Sequence, residues 1–191
     1  LSRITRMIVS TYQAVSGAGA AGLAELKRQI AQLEAGQAVS AEAFPVQIAY
    51  NLIPQIGGFD EQGYSAEERK LQDEGRKILH DPVLKISCTC VRVPVLRCHS
   101  ESITLETERA VNLEEARKAI AEAEGVRLNE QPYPTPLACT DQNQVEVGRL
   151  RCDCTHEKGI ALWCCGDQLR KGAATNAVEI VRTWWQKQAA H

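Results

Sequence analysis

The run CVRVPVLRCHSES holds the most suggestive pair in this chain, with Arg92 inside an apolar stretch and His99 seven positions later. A guanidinium in such a run needs an anionic partner, and a planar carboxylate matches its donor fork best. An imidazole ordinarily titrates near neutral pH, so His99 is a candidate proton carrier, although a lone histidine is more often structural. Gln13 ends the β-rich run STYQ just before SGAGAAG, a glycine-rich turn whose N–H groups can cradle an anion or approach a cofactor. That turn is neither a dinucleotide fingerprint nor a P-loop, so a plain structural turn competes with the binding reading. Glu67 and Lys70 are three apart on a predicted helix and share a face, as a solvated surface pair also would. Asp167 and Gln168 stand at a strand-to-helix junction beside Arg170 and Lys171, where either a ligand site or a capping and anchoring cluster fits.

The eight cysteines admit a disulfide framework, a metal site or reduced thiols. No pair has the C-x-x-C spacing of structural zinc, and most lie in apolar runs such as LKISCTCVRVPVL, where a thiol acts as a small hydrophobe. Reduced thiols and no metal are the expectation. In strands, Cys88 and Cys90 would share one face, as would Cys152 and Cys154, so a metal site stays open if those strands are neighbours.

These residues need elements to position them. Periodicity predicts a strand over 7–13, a helix over 22–36 ending at Gly36, and a punctuated loop from 37 onward. Ser65 followed by Glu68 is a capping box that starts a second helix over 65–79. Two long strands follow over 85–96 and 100–108, then a helix over 112–125 with Asn112 as cap and Gly125 as stop. QPYPTPLACT is a proline-rich connection, strands lie over 144–152 and 160–165, and a last helix begins near Leu169 or Gly172. The pattern is an α+β domain, a mixed β-sheet with helices mainly on one face.

A length of 191 residues suits a single domain, and 44% hydrophobic with 24% charged residues excludes disorder. The net charge of −2 is spread evenly, which argues against a nucleic-acid backbone or an anionic membrane as partner. No apolar run approaches bilayer length and the N-terminal residues lack a signal-peptide layout, so a cytoplasmic protein is expected. Leu1 stands where an initiator Met would, and a strand begins almost at once, so the chain reads as a fragment.

Taken together, STYQAVSGAGAAG, AYNLIPQI, YSAEERK, CVRVPV with CHSES, YPTPL, VGRLR and GDQLRKGAATNAVEI resemble the aspartate-semialdehyde dehydrogenase family, in family order and over nearly the whole chain. The resemblance implies a C-terminal catalytic and dimerisation domain over residues 1–191, similar in fold to that of glyceraldehyde-3-phosphate dehydrogenase, with the N-terminal nucleotide-binding domain absent. It implies NADPH-dependent reduction of L-aspartyl 4-phosphate to aspartate 4-semialdehyde and phosphate, toward lysine, threonine, methionine and diaminopimelate, in a cytoplasmic homodimer. By resemblance, Gln13 lies beside the nucleophile and His99 is the general acid and base. Arg92 would grip the substrate carboxylate, Glu67 its amino group and Lys70 the phosphate, with Ser16, Gly17 and Gln168 near the nicotinamide of NADP. The chain departs from the family in lacking the nucleophilic cysteine of an Asn-Cys-Thr/Ser motif and the glycine-rich nucleotide fingerprint. Glu68 competes with Glu67 for the binding role if the helix shifts by one residue. The departures leave two expectations: a domain inactive by itself, or a non-catalytic relative that dimerises as an assembly module.

Overall fold

The computed structural model describes residues 1–189. The first strand, β1 (Ile4–Ala14), is rich in β-branched residues and pairs on both sides. On one side it runs parallel to β2 (Lys85–Val93), with Gln13 opposite Arg92. On the other it runs antiparallel to β3 (His99–Thr107), with Tyr12 opposite Ser100. The mixed sheet is completed by β4 (Val126–Leu128), β5 (Val145–Cys152) and β6 (Gly159–Gly166), in the spatial order β2-β1-β3-β6-β5-β4.

The parallel β1/β2 pair requires a long crossover. It contains α1 (Gly19–Glu34), an irregular segment, and α2 (Ala66–Ile78). The capping box that starts α2 is present as expected, for Ser65 Oγ accepts from Glu68 N at 3.4 Å and Glu68 Oε2 accepts from Ser65 N at 2.7 Å. Glu68 Oε1 also accepts from Cys90 N at 3.0 Å, which ties the helix to the edge strand β2. α3 (Leu113–Glu122), capped by Asn112, packs on Met7, Ile103, Leu105, Ile160 and Leu162. Strand registers put those residues on the face that also carries Cys88, where α2 sits, so two helices cover one face.

Two helices stand apart from that face. α1 forms a separate small core beyond the sheet end, in which Leu26, Phe44, Ile48, Ala49 and Ile53 close around Val15. Buried Glu25 and Gln29 fix this excursion: the Glu25 carboxylate accepts from Glu42 N and Ala43 N, while Gln29 Oε1 accepts from Ile48 N and Ala49 N. The excursion ends by bridging Ile53 to Arg92 through two backbone hydrogen bonds of 2.8 and 3.0 Å, which shields the edge of β2. The last helix, α5 (Thr175–Ala189), follows a wide helical turn at Arg170–Ala174 and leaves Val178, Ile180, Val181, Trp184 and Trp185 58–67% exposed.

Several boundaries differ from the sequence reading. β2 stops at Val93 because Pro94 has no N–H to continue a ladder. β4 has only three residues, too few to show an alternation, and the turn of helix α4 (Pro136–Cys139) starts within the proline-rich connection. Among the described residues, no helix is long and apolar enough to cross a membrane.

Candidate active site

Strand register delivers the chemistry to one end of the sheet. Gln13 and Arg92 are paired neighbours, His99 lies one residue past the Tyr12–Ser100 pair, and its own partner Gly166 leads into Asp167 and Gln168. Alternation puts the Gln13, Arg92 and His99 side chains on the face that α2 covers.

The peptide groups of Ala14 join the two central residues. Ala14 N donates to His99 Nδ1 at 3.1 Å, and Ala14 O accepts from Arg92 Nη1 at 2.7 Å. Both side chains abut Gly17 in the short helical turn Val15–Ala18: a Cβ there would lie 2.6 Å from Arg92 Nη1 and 3.3 Å from His99 Cε1 and Nε2. Arg92 is 7% exposed, and among the described residues it makes no ion pair, so the carboxylate expected from sequence is not supplied by the fold. Burial lowers its pKa while Glu67 opposes the change, and a guanidinium so far above neutrality keeps its charge. His99 is pushed down to about 4, first by burial and then by the Arg92 charge, against weaker opposition from the Cys98 backbone, Glu67 and Asp167.

Gln13 is held from two directions. Its Oε1 accepts from Thr11 Oγ1 at 2.9 Å and its Nε2 donates to Glu67 Oε1 at 3.3 Å. Glu67 Oε2 in turn lies 3.7 Å from Lys70 Nζ, so α2 presents a carboxylate and an ammonium beside the buried amide. The two glutamates named as competitors from sequence occupy different places. Glu67 faces Gln13, whereas Glu68 spends both carboxylate oxygens on backbone donors.

Across from Gly17, Gln168 Nε2 donates to Ser16 Oγ and its Oε1 accepts from Cys98 N at 3.0 Å. Asp167 is fully buried and accepts from Arg97 Nε, Asp141 N and Leu169 N. It is therefore the anchor of the junction, and Gln168 is its forward-facing neighbour. Arg170 pairs with Asp141 and Lys171 with Glu179, and Lys171 also lines the cleft beside His99. A cleft of about 330 Å³ opens beside His99, lined also by Glu101, Cys164, Gly166, Gln168 and Gly172.

Sequence reasoning missed Thr11, Arg97 and Glu101. Thr11 and Glu101 are each two residues from a selected side chain on the same strand face, a signal that was legible; Arg97 works only through a tertiary contact. Burial raises the Glu101 pKa, partly offset by the Cys164 thiol at 3.9 Å.

All eight cysteines are free. The metal geometry left open by sequence requires β2 and β5 to be neighbours, but β1, β3 and β6 lie between them. Among the described residues no group of three or more His, Cys, Asp or Glu side chains is arranged so that it could hold a metal ion. Cys98, Cys139 and Cys165 pack together in the interior, while Cys152 and Cys154 are exposed and so are not the apolar fillers the sequence suggested.

Known proteins share both sequence and shape. The chain is 48% identical over 182 residues to aspartate-semialdehyde dehydrogenase of Aquifex aeolicus and 45% identical over 184 residues to that of Synechocystis, covering 93% and 94% of this chain. It spans about half the length of these relatives, 54% in each case. A crystal structure of aspartate semialdehyde dehydrogenase II from Vibrio cholerae, complexed with ASA, matches with a TM-score of 0.93 and 42% identity, over 95% of this chain and 55% of that one. Residues 1–171 match the model described as semialdehyde dehydrogenase, dimerisation domain, and the chain belongs to that family.

Proposed function

We propose that this chain is the substrate-binding and dimerisation domain of an NADPH-dependent aspartate-semialdehyde dehydrogenase, acting on L-aspartyl 4-phosphate in the pathway to lysine, threonine and methionine. One observation carries the reading: Arg92 and His99 converge on Gly17 through the Ala14 peptide groups, with Gln13 alongside. The nucleophilic thiolate and the main nucleotide-binding domain lie outside these residues, so the chain alone is inactive.

Each role follows from charge and shape. Buried Arg92, without a carboxylate from the fold, grips the α-carboxylate of the substrate in a bidentate pair. Glu67 meets the substrate ammonium, and exposed Lys70 meets the phosphate. Gln13, locked by Thr11 and Glu67, orients the reacting carbonyl beside the thiolate. His99, against Gly17 at the cleft, acts as general acid and base toward the carbonyl oxygen.

The nicotinamide end of NADP fits between Ser16, Gly17 and Gln168. The Gln168 amide closes over Ser16, and glycine at position 17 leaves a flat backbone surface beside the imidazole. When bound, the cofactor supplies the hydride.

The sheet face opposite α2 and α3 carries Ile8, Tyr12 and Trp163, with the Tyr12 and Trp163 rings 5.4 Å apart at a tilt of 44° and Ile8 and Tyr12 more than a third exposed. This uncovered face is the proposed homodimer surface. Eight free thiols suit a reducing cytoplasm.

The test is to express the complete open reading frame that contains these residues and assay phosphate-dependent oxidation of aspartate 4-semialdehyde by NADP. Turnover supports the assignment. A folded dimer without turnover would make the protein an assembly module instead.

A further inference from the structure

We infer that the Arg97–Asp167 ion pair is a positioning device for the cofactor, holding the Gln168 amide where the nicotinamide carboxamide of NADP can bond to it. The inference rests on the dehydrogenase reading for the identity of the ligand. The grip on Gln168 rests on the fold itself.

The loop between β2 and β3 supplies four consecutive contacts at this corner. Val95 O accepts from Val15 N at 2.9 Å and Leu96 O from Ser16 N at 3.3 Å, which moors the turn that carries Ser16 and Gly17. Arg97 then reaches across to Asp167, and Cys98 N donates to Gln168 Oε1 at 3.0 Å. Gln168 Nε2 donates to Ser16 Oγ and closes the ring of contacts. Cys98 has a φ of 74°, in the left-handed region that a residue with a Cβ avoids, and it holds that conformation where its N–H meets Gln168.

Asp167 is the fixed point of this ring. It is fully buried, and its two oxygens take four donors: Oδ1 accepts from Arg97 Nε at 3.1 Å and Leu169 N at 3.0 Å, and Oδ2 from Arg97 Nη2 at 2.8 Å and Asp141 N at 2.8 Å. The guanidinium therefore grips the carboxylate at two points, which fixes direction as well as distance. Asp141 Oδ1 lies 3.1 Å from Arg97 Nη2 and 3.2 Å from Arg170 Nε, so the chain is tied on both sides of Gln168. Burial pushes the Asp167 carboxyl up, but the Asp141 amide, the Arg97 guanidinium and the Leu169 amide together hold it below the ordinary carboxylate value. A desolvated ion pair adds little net stability, because taking two charges out of water offsets their attraction. What this pair fixes is the place of residue 168.

Gln168 keeps capacity for a ligand. Its amide has two N–H donors and a carbonyl with two lone pairs, and Ser16 and Cys98 take one of each. The remaining N–H and lone pair match a primary carboxamide, which offers one acceptor and one donor in return. Gln168 also lines the cleft beside His99, so the amide is within reach of a bound molecule.

The test is a double-variant cycle in the complete enzyme, with the Kd of NADP read by titration calorimetry and KM for NADP and for aspartate 4-semialdehyde read in parallel. Gln168→Ala should weaken NADP roughly three- to tenfold, the worth of one neutral hydrogen bond. Arg97→Gln should weaken it by about the same factor, with KM for the aldehyde within about twofold of wild type. In the double variant the two losses should not multiply, because the ion pair acts only through an amide that is already gone. Losses that multiply, a wild-type Kd in Arg97→Gln, or an equal rise in KM for both substrates would overturn the proposal in favour of a scaffold role. Arg97→Lys keeps the charge without the two-point grip and serves if Arg97→Gln does not fold. It should show the same non-additive loss, and unfolding of both variants would make the pair a scaffold. Hydrogen exchange at Cys98 N should be at least about tenfold faster in the folded Arg97 variant than in wild type, and unchanged protection would refute the grip. A complete wild-type protein that binds no NADP would count against the dehydrogenase assignment, and exchange at Cys98 would still decide whether the ion pair holds Gln168.

Discussion

Gly17→Ala separates the architecture of the site from its stability. The added Cβ would meet Arg92 Nη1 at 2.6 Å, so the guanidinium must retreat roughly 0.8 Å to reach the ~3.4 Å of ordinary contact. Retreat lengthens its bond to Ala14 O without removing it, and the imidazole edge at 3.3 Å is crowded at the same time. A displacement of about 1 Å in a positioning group costs on the order of a hundredfold in rate. The backbone of Gly17 is not in the left-handed region and the residue is exposed, so the fold should lose less than about 1 kcal/mol. In the complete enzyme, kcat/KM for aspartate 4-semialdehyde should therefore fall by roughly 30- to 100-fold. The melting temperature of the 191-residue chain should move by no more than about 4 °C. The assay is initial-rate NADPH formation, paired with a thermal melt. A kcat/KM within threefold of wild type would show that Arg92 and His99 do not act across Gly17.

Neighbouring glutamates on α2 should fail in opposite ways. Glu67→Gln should depress kcat/KM with little change in urea stability, whereas Glu68→Ala, which strands Ser65 N and Cys90 N, should cost about 1–3 kcal/mol by urea titration. His99 should also make stability depend on pH. Its folded pKa of about 4 lies below its ordinary 6.5, so the unfolded chain binds the extra proton between those values. Stability is then complete above pH 6.5 and is lost as pH falls toward 4, by about 3 kcal/mol at most. The depressed carboxyls of Asp60, Asp81 and Asp153 weaken the fold in acid too, but they are common to wild type and His99→Gln. The difference between those two proteins in urea melts at pH 7 and pH 4.5 isolates the histidine; no difference would mean that His99 titrates normally.

Elements written into local sequence were the easiest to read. The Ser65–Glu68 box, the Asn112 cap and the strand around Arg92 each announce themselves within a few residues, and each is present. The convergence of Gln13, Arg92 and His99 is different, because it is created by strand order and register, which no local pattern encodes. Resemblance supplied it where periodicity did not. Glu25 and Gln29 look like ordinary polar positions on an amphipathic helix, yet they are buried to hold a loop eleven to twenty residues away. Cys152 and Cys154 failed as predicted fillers because β5 ends at Cys152 and the following turn is solvated. Glu67 and Glu68 could be told apart only once the capping geometry was visible.

The central claim is that Arg92 holds the substrate's α-carboxylate, and removing that carboxylate from the substrate tests it most directly. In the complete enzyme, Arg92→Leu should lower kcat/KM for aspartate 4-semialdehyde by roughly 10- to 200-fold, the worth of one charge-assisted contact. With 3-aminopropanal, the same aldehyde without its carboxylate, wild type and variant should agree within about threefold, since that contact is missing from both. Equal losses on the two aldehydes would contradict the account.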